Sequence, residues 1–200
     1  MAKNQVERVE QLKNKALEMR KRLLRLCHEG APLHIGGDLS PPEEVPRTGR
    51  SRCPSSIVTL MGDGELNEGS VWEGVMAAAH FGLGNLVAFI DKNDLSMDGR
   101  LDDVMRMNPI GDKFAAFGWN VVEIDGHDMA ALVEVIDSLP DAMSSRPTVV
   151  VASTVKGKGV GFMENSVAWH AGAIDADTLK ATVAEVEEKR QREREGVLNS

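Results

Sequence analysis

No stretch of eighteen consecutive apolar residues occurs in this 200-residue chain, so no segment of it is read as a membrane-spanning helix. The opening Met-Ala-Lys-Asn-Gln-Val-Glu has no apolar core of a secretory leader, and the expected location is the cytoplasm. Cysteine is scarce: Cys27 and Cys53 lie far apart and read as reduced thiols rather than a bridge. A basic excess is also lacking. The formal charge of −8 argues against nucleic acid, which needs a basic face to displace counterions. It also leaves any phosphorylated ligand to be held by a metal, by backbone N–H groups or by local Lys and Arg. What is present, 42% apolar and 27% charged residues, suits one soluble domain with a helical extension.

The chain reads in four parts. Residues 1–35 hold a helix and a turn: Val6, Val9, Leu12, Ala16, Met19, Leu23, Leu24 and Leu26 recur near helical spacing, and the pattern stops near Gly30 and Pro32. Residues 36–56 are a loop by composition, with Gly36-Gly37, Pro41-Pro42, Pro46, Gly49 and Pro54. Residues 57–174 form an α/β core. Four short apolar runs begin at Ile57, Leu86, Trp119 and Pro147 and suit strands buried on both faces. Helical patterns separate them: Val71 to Ala79, Phe114 to Phe117, and Met129 to Ile136 behind an Asp128 cap. The alternation predicts an open, mainly parallel sheet with helices on both faces. Residues 175–200 form a densely charged helix opened by Asp175.

Ligands on such sheets sit beyond the carboxyl ends of the strands. The first strand ends in Gly62-Asp63-Gly64, and the second closes on Asn93, 30 positions after Asp63. Neighbouring strands would bring Asp63 and Asn93 to one rim. A carboxylate, an amide oxygen and a loop carbonyl make a hard oxygen set for Mg²⁺ or Ca²⁺ that leaves places for water and phosphate. Glycines on either side of Asp63 let phosphate come close to the backbone. A lone Gly-Asp-Gly is a common turn, and the specific signal is the joint pattern of strand, helix and second strand.

Those residues carry a family resemblance. Gly62-Asp63-Gly64-Glu65-Leu66-Asn67-Glu68-Gly69, Trp72-Glu73, Ala77-Ala78-Ala79-His80, Gly84-Asn85-Leu86 and Asp91 to Gly99 resemble the thiamine diphosphate motif of transketolases. So do Phe117-Gly118-Trp119, Ile124 to Asp128, and Thr154-Val155-Lys156-Gly157-Lys158-Gly159. The likeness falls nearest the amino-terminal subunit of a split transketolase. It implies the thiamine diphosphate-binding fold, with metal held by Asp63, Asn93 and the Leu95 carbonyl. Gly62, Gly64 and Glu65 would lie at the diphosphate, and Met97 near the cofactor rings. Glu68 would join a carboxylate network between paired cofactors across a dimer, in contact with cofactor chemistry, although a Glu in a first helical turn is ordinarily dipole compensation. His34 resembles a substrate-facing histidine and His170 a histidine near the cofactor. His28 reads as a helix-end residue, His80 as helix packing and His127 as a turn residue. Lys156 and Lys158 read equally as phosphate ligands or as parts of a solvated loop.

The sequence also departs from the family. Transketolases carry a long segment before the Gly-Asp-Gly strand, with histidine and glycine turns that touch cofactor or substrate. Pro41 to Ser56 stands in its place, and the loss is expected to be real. The pyrimidine-binding domain that activates the cofactor is not read in the chain either. The expectation is therefore a subunit that transfers a two-carbon ketol unit between sugar phosphates, homodimerises, and needs a separate pyrimidine-domain subunit. The homodimer would form through the helix bearing Trp72, Val75, Met76 and Ala79, giving a heterotetramer with two partner copies. The alternatives are another thiamine diphosphate enzyme, of the deoxyxylulose phosphate synthase or 2-oxo acid dehydrogenase type, and a non-catalytic assembly subunit of the same fold.

Overall fold

A computed structural model describes residues 3–29, 57–140 and 144–198. The loop expected over 36–56, and with it His34 and Cys53, lies outside the described residues. The chain divides into two compact units: residues from Ile57 to Thr154 make a sheet unit, and residues 3–29 with 155–198 make a helical unit. The loop 155–174, expected to continue the α/β core, therefore groups with the helices.

The sheet unit has four parallel strands: β1 (Ile57–Gly62), β2 (Leu86–Lys92), β3 (Asn120–Asp125) and β4 (Thr148–Ser153), in the order β1-β2-β4-β3. The helical unit begins with α1 (Lys3–His28), and the helices of the sheet unit are α2 (Gly69–His80), α3 (Leu101–Val104), α4 (Ile110–Ala116) and α5 (Met129–Ser138). The alternation of side chains along a strand sorts the core into two layers. Ala88 and Ile90 of β2 with Val149 and Val151 of β4 pack under Val75 and Ala78 of α2 and Ile110 and Phe114 of α4. The intervening residues, Val87, Phe89 and Val150, pack under Leu132 and Val135 of α5 on the other face. Asp128 caps α5 as expected, accepting from the N–H groups of Ala130 at 2.8 Å and Ala131 at 3.3 Å.

Only two of the four strands are buried on both faces. The strand order puts β1 and β3 at the edges, so Val58 and Leu60 of β1 keep 45% and 48% of their surface exposed, while the central β4 is buried from Thr148 to Ala152. Apolar continuity in the sequence reports a strand but not its place in the sheet. The short helix α3, at 4 residues, is too brief to leave a periodic signal in the sequence.

An aromatic group anchors the elements below the sheet's carboxyl rim. Phe114 sits 5.3 Å, centroid to centroid, from both Trp72 and Trp119. Each indole N–H has a backbone acceptor, Leu66 O at 2.7 Å for Trp72 and Val75 O at 2.9 Å for Trp119. Trp72 thus ties α2 to the turn that follows Asp63.

The helical unit pairs α1 with α6 (Ala176–Leu198). Arg190 reaches Glu10 at 2.7 Å and Asn14 at 3.0 Å, and Lys21 reaches Glu187 at 2.7 Å. Cys27 is buried and donates to Gly172 O at 3.1 Å, and burial pushes its thiol pKa up, as befits an inert thiol. No helix among the described residues is long and apolar enough to cross a membrane.

Phe114→Ala removes a fully buried ring from between two tryptophans. Urea unfolding is expected to show a loss of about 3–5 kcal/mol, the usual cost of such a cavity. A loss below about 1 kcal/mol would mean that Trp72 and Trp119 close the gap.

Candidate functional site

The register of β1 on β2 sets Gly62 beside Asp91, so the residues that leave the two strands meet at one rim. Asp63 opens a 3₁₀ turn (Asp63–Asn67) and is 1% exposed. Its Oδ2 accepts the Asp94 N–H at 2.6 Å. Asn93 is also buried, and its amide orientation is fixed from both ends: Nδ2 donates to Asp91 Oδ2 at 3.0 Å, and Oδ1 accepts from Leu95 N at 3.1 Å. The Asn93 oxygen keeps a second lone pair. The Thr154 hydroxyl donates to the other oxygen of Asp91. Both oxygens of Asp91 thus accept a hydrogen bond, one of them from the N–H₂ of Asn93.

Burial pushes the Asp63 pKa up to about 6, the Asp94 N–H opposes that, and the charges of Asp91 and Asp94 add to the rise. A nearly inaccessible carboxylate beside two others is costly unless something positive meets it. Among the described residues no three His, Cys, Asp or Glu side chains converge as a cage. The oxygens that could hold a cation are of another kind: one carboxylate, one amide oxygen and the Leu95 carbonyl on the same turn. That sparse hard-oxygen set fits Mg²⁺ or Ca²⁺ with water and phosphate filling the remaining places.

The glycines around Asp63 give a second test of fit. Gly62 has φ −71°, which any residue adopts. A Cβ there would meet nothing nearer than Glu65 Oε1 at 3.7 Å, and one on Gly64 nothing nearer than Ser96 Cβ at 3.8 Å. The fold therefore does not demand glycine at either position, and the missing side chains leave room for a ligand to lie against the backbone. Their N–H groups are less available than the sequence suggests. Gly62 N–H donates to Glu65 Oε1 at 3.1 Å, and Gly64 N–H hydrogen-bonds the Asp63 carboxylate. Glu65 is thus engaged in folding the turn back on the strand.

The other expected residues belong to different elements. Met97 stands 63% exposed on the turn that carries Leu95. Glu68 is exposed at the N-terminus of α2, where its side chain makes no cap. His170 belongs to the helical unit, at the end of a 3₁₀ turn (Val167–Trp169), with its N–H on Val167 O at 2.9 Å. His80 is exposed and meets the edge of Phe81 at 5.0 Å, so it is not a packing residue. His28 does more than end a helix: its Nδ1 bonds Ile174 O at 3.0 Å. His127 is a turn residue whose N–H meets Asp125 Oδ1 at 2.8 Å. Lys156 is buried, against its reading as part of a solvated loop, whereas Lys158 is 40% exposed and lies 4.0 Å from Glu164. On α2, Val75 is 4% exposed and Trp72 faces the core, so of the four apolar residues assigned to an interface only Met76, at 55%, points outward.

Fold and rim together define an open parallel α/β domain suited to an oxygen-ligated group at its strand ends. The chain belongs to the transketolase family: residues 43–191 match the family described as transketolase, thiamine diphosphate binding domain. It is 40% identical over 130 residues to an apulose-4-phosphate transketolase subunit of Phocaeicola vulgatus, covering 65% of this chain and 46% of that one. Likewise it is 38% identical over 136 residues to the 6-deoxy-6-sulfo-D-fructose transketolase subunit of a Clostridium species, covering 68% and 49%. The chain thus spans about half the length of these curated relatives. Among solved structures, transketolase from Campylobacter jejuni matches with a TM-score of 0.61 at 26% identity, covering 69% of this chain and 21% of that one. A Pichia stipitis transketolase mutant in complex with fructose-6-phosphate matches with a TM-score of 0.53 at 27% identity, covering 69% and 24%.

Asp91, Asp94, Asn108 and Thr154 also shape the rim, and the motif by itself assigns them no role. The Asp-x-Asn spacing of Asp91 and Asn93 was the available signal, since residues two apart on a strand share a face.

Because Asp63 ionises near 6 in the fold against an ordinary 3.8, its contribution to stability is full below 3.8 and is lost as pH rises through 6. Asp63→Asn removes the buried charge. Without divalent cation this variant should melt higher than the parent at pH 8, by up to about 3 kcal/mol, the energy equivalent of the shift. The advantage should shrink at pH 5. An Asn variant that is less stable at both pH values would show that the carboxylate is already compensated within the chain.

Proposed function

We propose that this chain is the diphosphate-binding subunit of a transketolase-type enzyme, holding thiamine diphosphate through Mg²⁺ (or Ca²⁺) on Asp63, Asn93 and the Leu95 carbonyl. One observation carries the reading: two adjacent parallel strands deliver a buried carboxylate and a fixed amide oxygen to one rim, next to glycines the fold does not need. The family match gives the cofactor its identity. When bound, the cofactor supplies the stabilised carbanion by which ketol units move. The chain's residues anchor its diphosphate end, with Met97 against the rings.

A diphosphate anchor leaves the pyrimidine end to be covered by other protein. The relatives are named as subunits, which supports a pyrimidine-domain partner. One is named for a sugar phosphate and the other for a sulfonated sugar, and sugar phosphates are the substrate class proposed for this chain. Homodimerisation through α2 remains part of the reading, with its surface redrawn. The outward residues are Glu68, Gly69, Glu73, Gly74 and Met76, with Phe81 72% exposed just beyond. A Cβ on Gly69 or Gly74 would meet nothing within 4 Å, so a second helix has room to approach closely, and Glu68 would stand at that seam. His34 and His170 are the histidines proposed to meet substrate and cofactor.

Asp63→Ala removes the charged ligand, and titration calorimetry with Mg²⁺ and thiamine diphosphate, partner present, should show little binding. Asn93→Asp keeps an oxygen but adds a negative charge beside the diphosphate, so Mg²⁺ alone should bind while the metal–cofactor pair binds more weakly. Undiminished affinity in both variants would sink the metal assignment. Ketol transfer in a coupled assay should appear only when chain and partner are mixed, and turnover by the chain alone would defeat the split-site reading.

A further inference from the structure

Asp94 is the one non-glycine residue of the rim turn in the left-handed region, at φ 59°. Glycine adopts that conformation without steric cost, whereas a side chain meets its own carbonyl there. Something must therefore hold Asp94 in place, and both oxygens of its carboxylate are gripped. Oδ2 accepts from Lys92 Nζ at 2.9 Å, and Oδ1 accepts from Asn108 Nδ2 at 3.1 Å. The segment that carries Asn108 is itself strapped, since Lys113 Nζ donates to Met107 O at 2.5 Å. With its carboxylate committed in this way, Asp94 offers the rim its backbone. Its N–H points to Asp63 Oδ2 at 2.6 Å, and its carbonyl accepts the Leu101 N–H at 2.9 Å. Ser96 N–H to Gly99 O at 2.8 Å closes the same turn.

We propose that Asp94 is a positioning residue for the cation-binding rim, its carboxylate locked by Lys92 and Asn108 so that its left-handed backbone aims the N–H at Asp63 and sets the turn presenting Asn93 and Leu95. The proposal rests on the reading of Asp63 and Asn93 as cation ligands. Asp94 is not itself a ligand. A shell of this kind usually changes metal affinity by about 10- to 100-fold when removed.

Two sets of variants test it in the full chain. Lys92→Met with Asn108→Ala loosens the grip and leaves Asp94 intact, so the Asp94 amide can still be followed. In the cation-free parent its amide proton should resonate far downfield, as a short bond to a carboxylate requires, and in the double variant it should move upfield. Asp94→Gly, which frees the backbone but keeps the left-handed region open, should weaken binding of Mg²⁺ with thiamine diphosphate about tenfold, and Asp94→Ala about a hundredfold. Asp94→Asn, which tolerates the conformation and keeps an acceptor, should recover most of the affinity. Melting temperatures within a few degrees of the parent would exclude general unfolding. An unmoved amide together with equal affinity in Asp94→Ala overturns the proposal, as does equal loss in the Asn and Ala variants. If the parent with its partner present takes up no Mg²⁺ and thiamine diphosphate, the functional reading fails, and the amide shift alone then decides the role of Asp94.

Discussion

The contact on which this site depends is a single hydrogen bond between two strands' ends, Asp94 N–H to the Asp63 carboxylate at 2.6 Å. It exists because β1 and β2 run parallel side by side, so the turns leaving them face each other. Every other feature of the rim adjusts to it. Asp63 is nearly inaccessible, and Asp91 and Asp94 raise its pKa further, which is an arrangement a protein of this size would avoid for stability alone. Asp94 is pulled the other way. Burial raises its carboxyl, but the hydrogen bonds from Lys92 and Asn108 outweigh that and leave it below the usual carboxylate value. The rim thus holds one carboxylate raised by burial and like charge and one lowered by the cation and amide that grip it.

Much of this was legible. The four strands, their helices, the Asp128 and Asp175 caps and the meeting of Asp63 with Asn93 follow from period, turn chemistry and the rule that ligands collect at strand ends. The edges of the sheet were not, because Ile57-Val58-Thr59-Leu60 is as apolar as a central strand and only the crossover order shows that no strand flanks β1 on its outer side among the described residues. The outward face of α2 escapes the sequence for a related reason. Trp72 and Val75 look surplus to one sheet face, but the core they serve also contains α4 and the aromatic pair Phe114 and Trp119, long-range neighbours that helical spacing does not reveal.

The rim residues that no motif names share one property: they act on other residues. Asp91 is marked in the sequence only by standing two residues before Asn93 at a strand end. In the fold it fixes which way the Asn93 amide faces, by accepting from Nδ2 and so leaving Oδ1 to accept from Leu95 N. Asp94 and Asn108, 14 positions apart, are joined only once α3 and the segment behind it fold back over the turn. Sequence motifs name donors more readily than the groups that aim them.

The same logic explains why glycines and carboxylates carry more meaning here than the histidines do. Histidines expected at the chemistry come from the segment outside the described residues, His34, or from the helical unit, His170. Asp63, Asn93, Gly62 and Gly64 all come from two consecutive strand ends inside one unit, whose register is fixed by the pairing of β1 with β2 from Ile57 on Leu86 to Gly62 on Asp91. A site assembled at the ends of one sheet starts from the sheet's rigidity, and the contacts of Asp91 and Asp94 then aim its groups. A diphosphate held through a cation would suit that kind of anchor, since it needs fixed oxygens and a close backbone. Reactive chemistry needs groups brought from several segments. On the proposed function, anchoring the diphosphate is the part assigned to this sheet unit, because its candidate residues all come from two neighbouring strand ends.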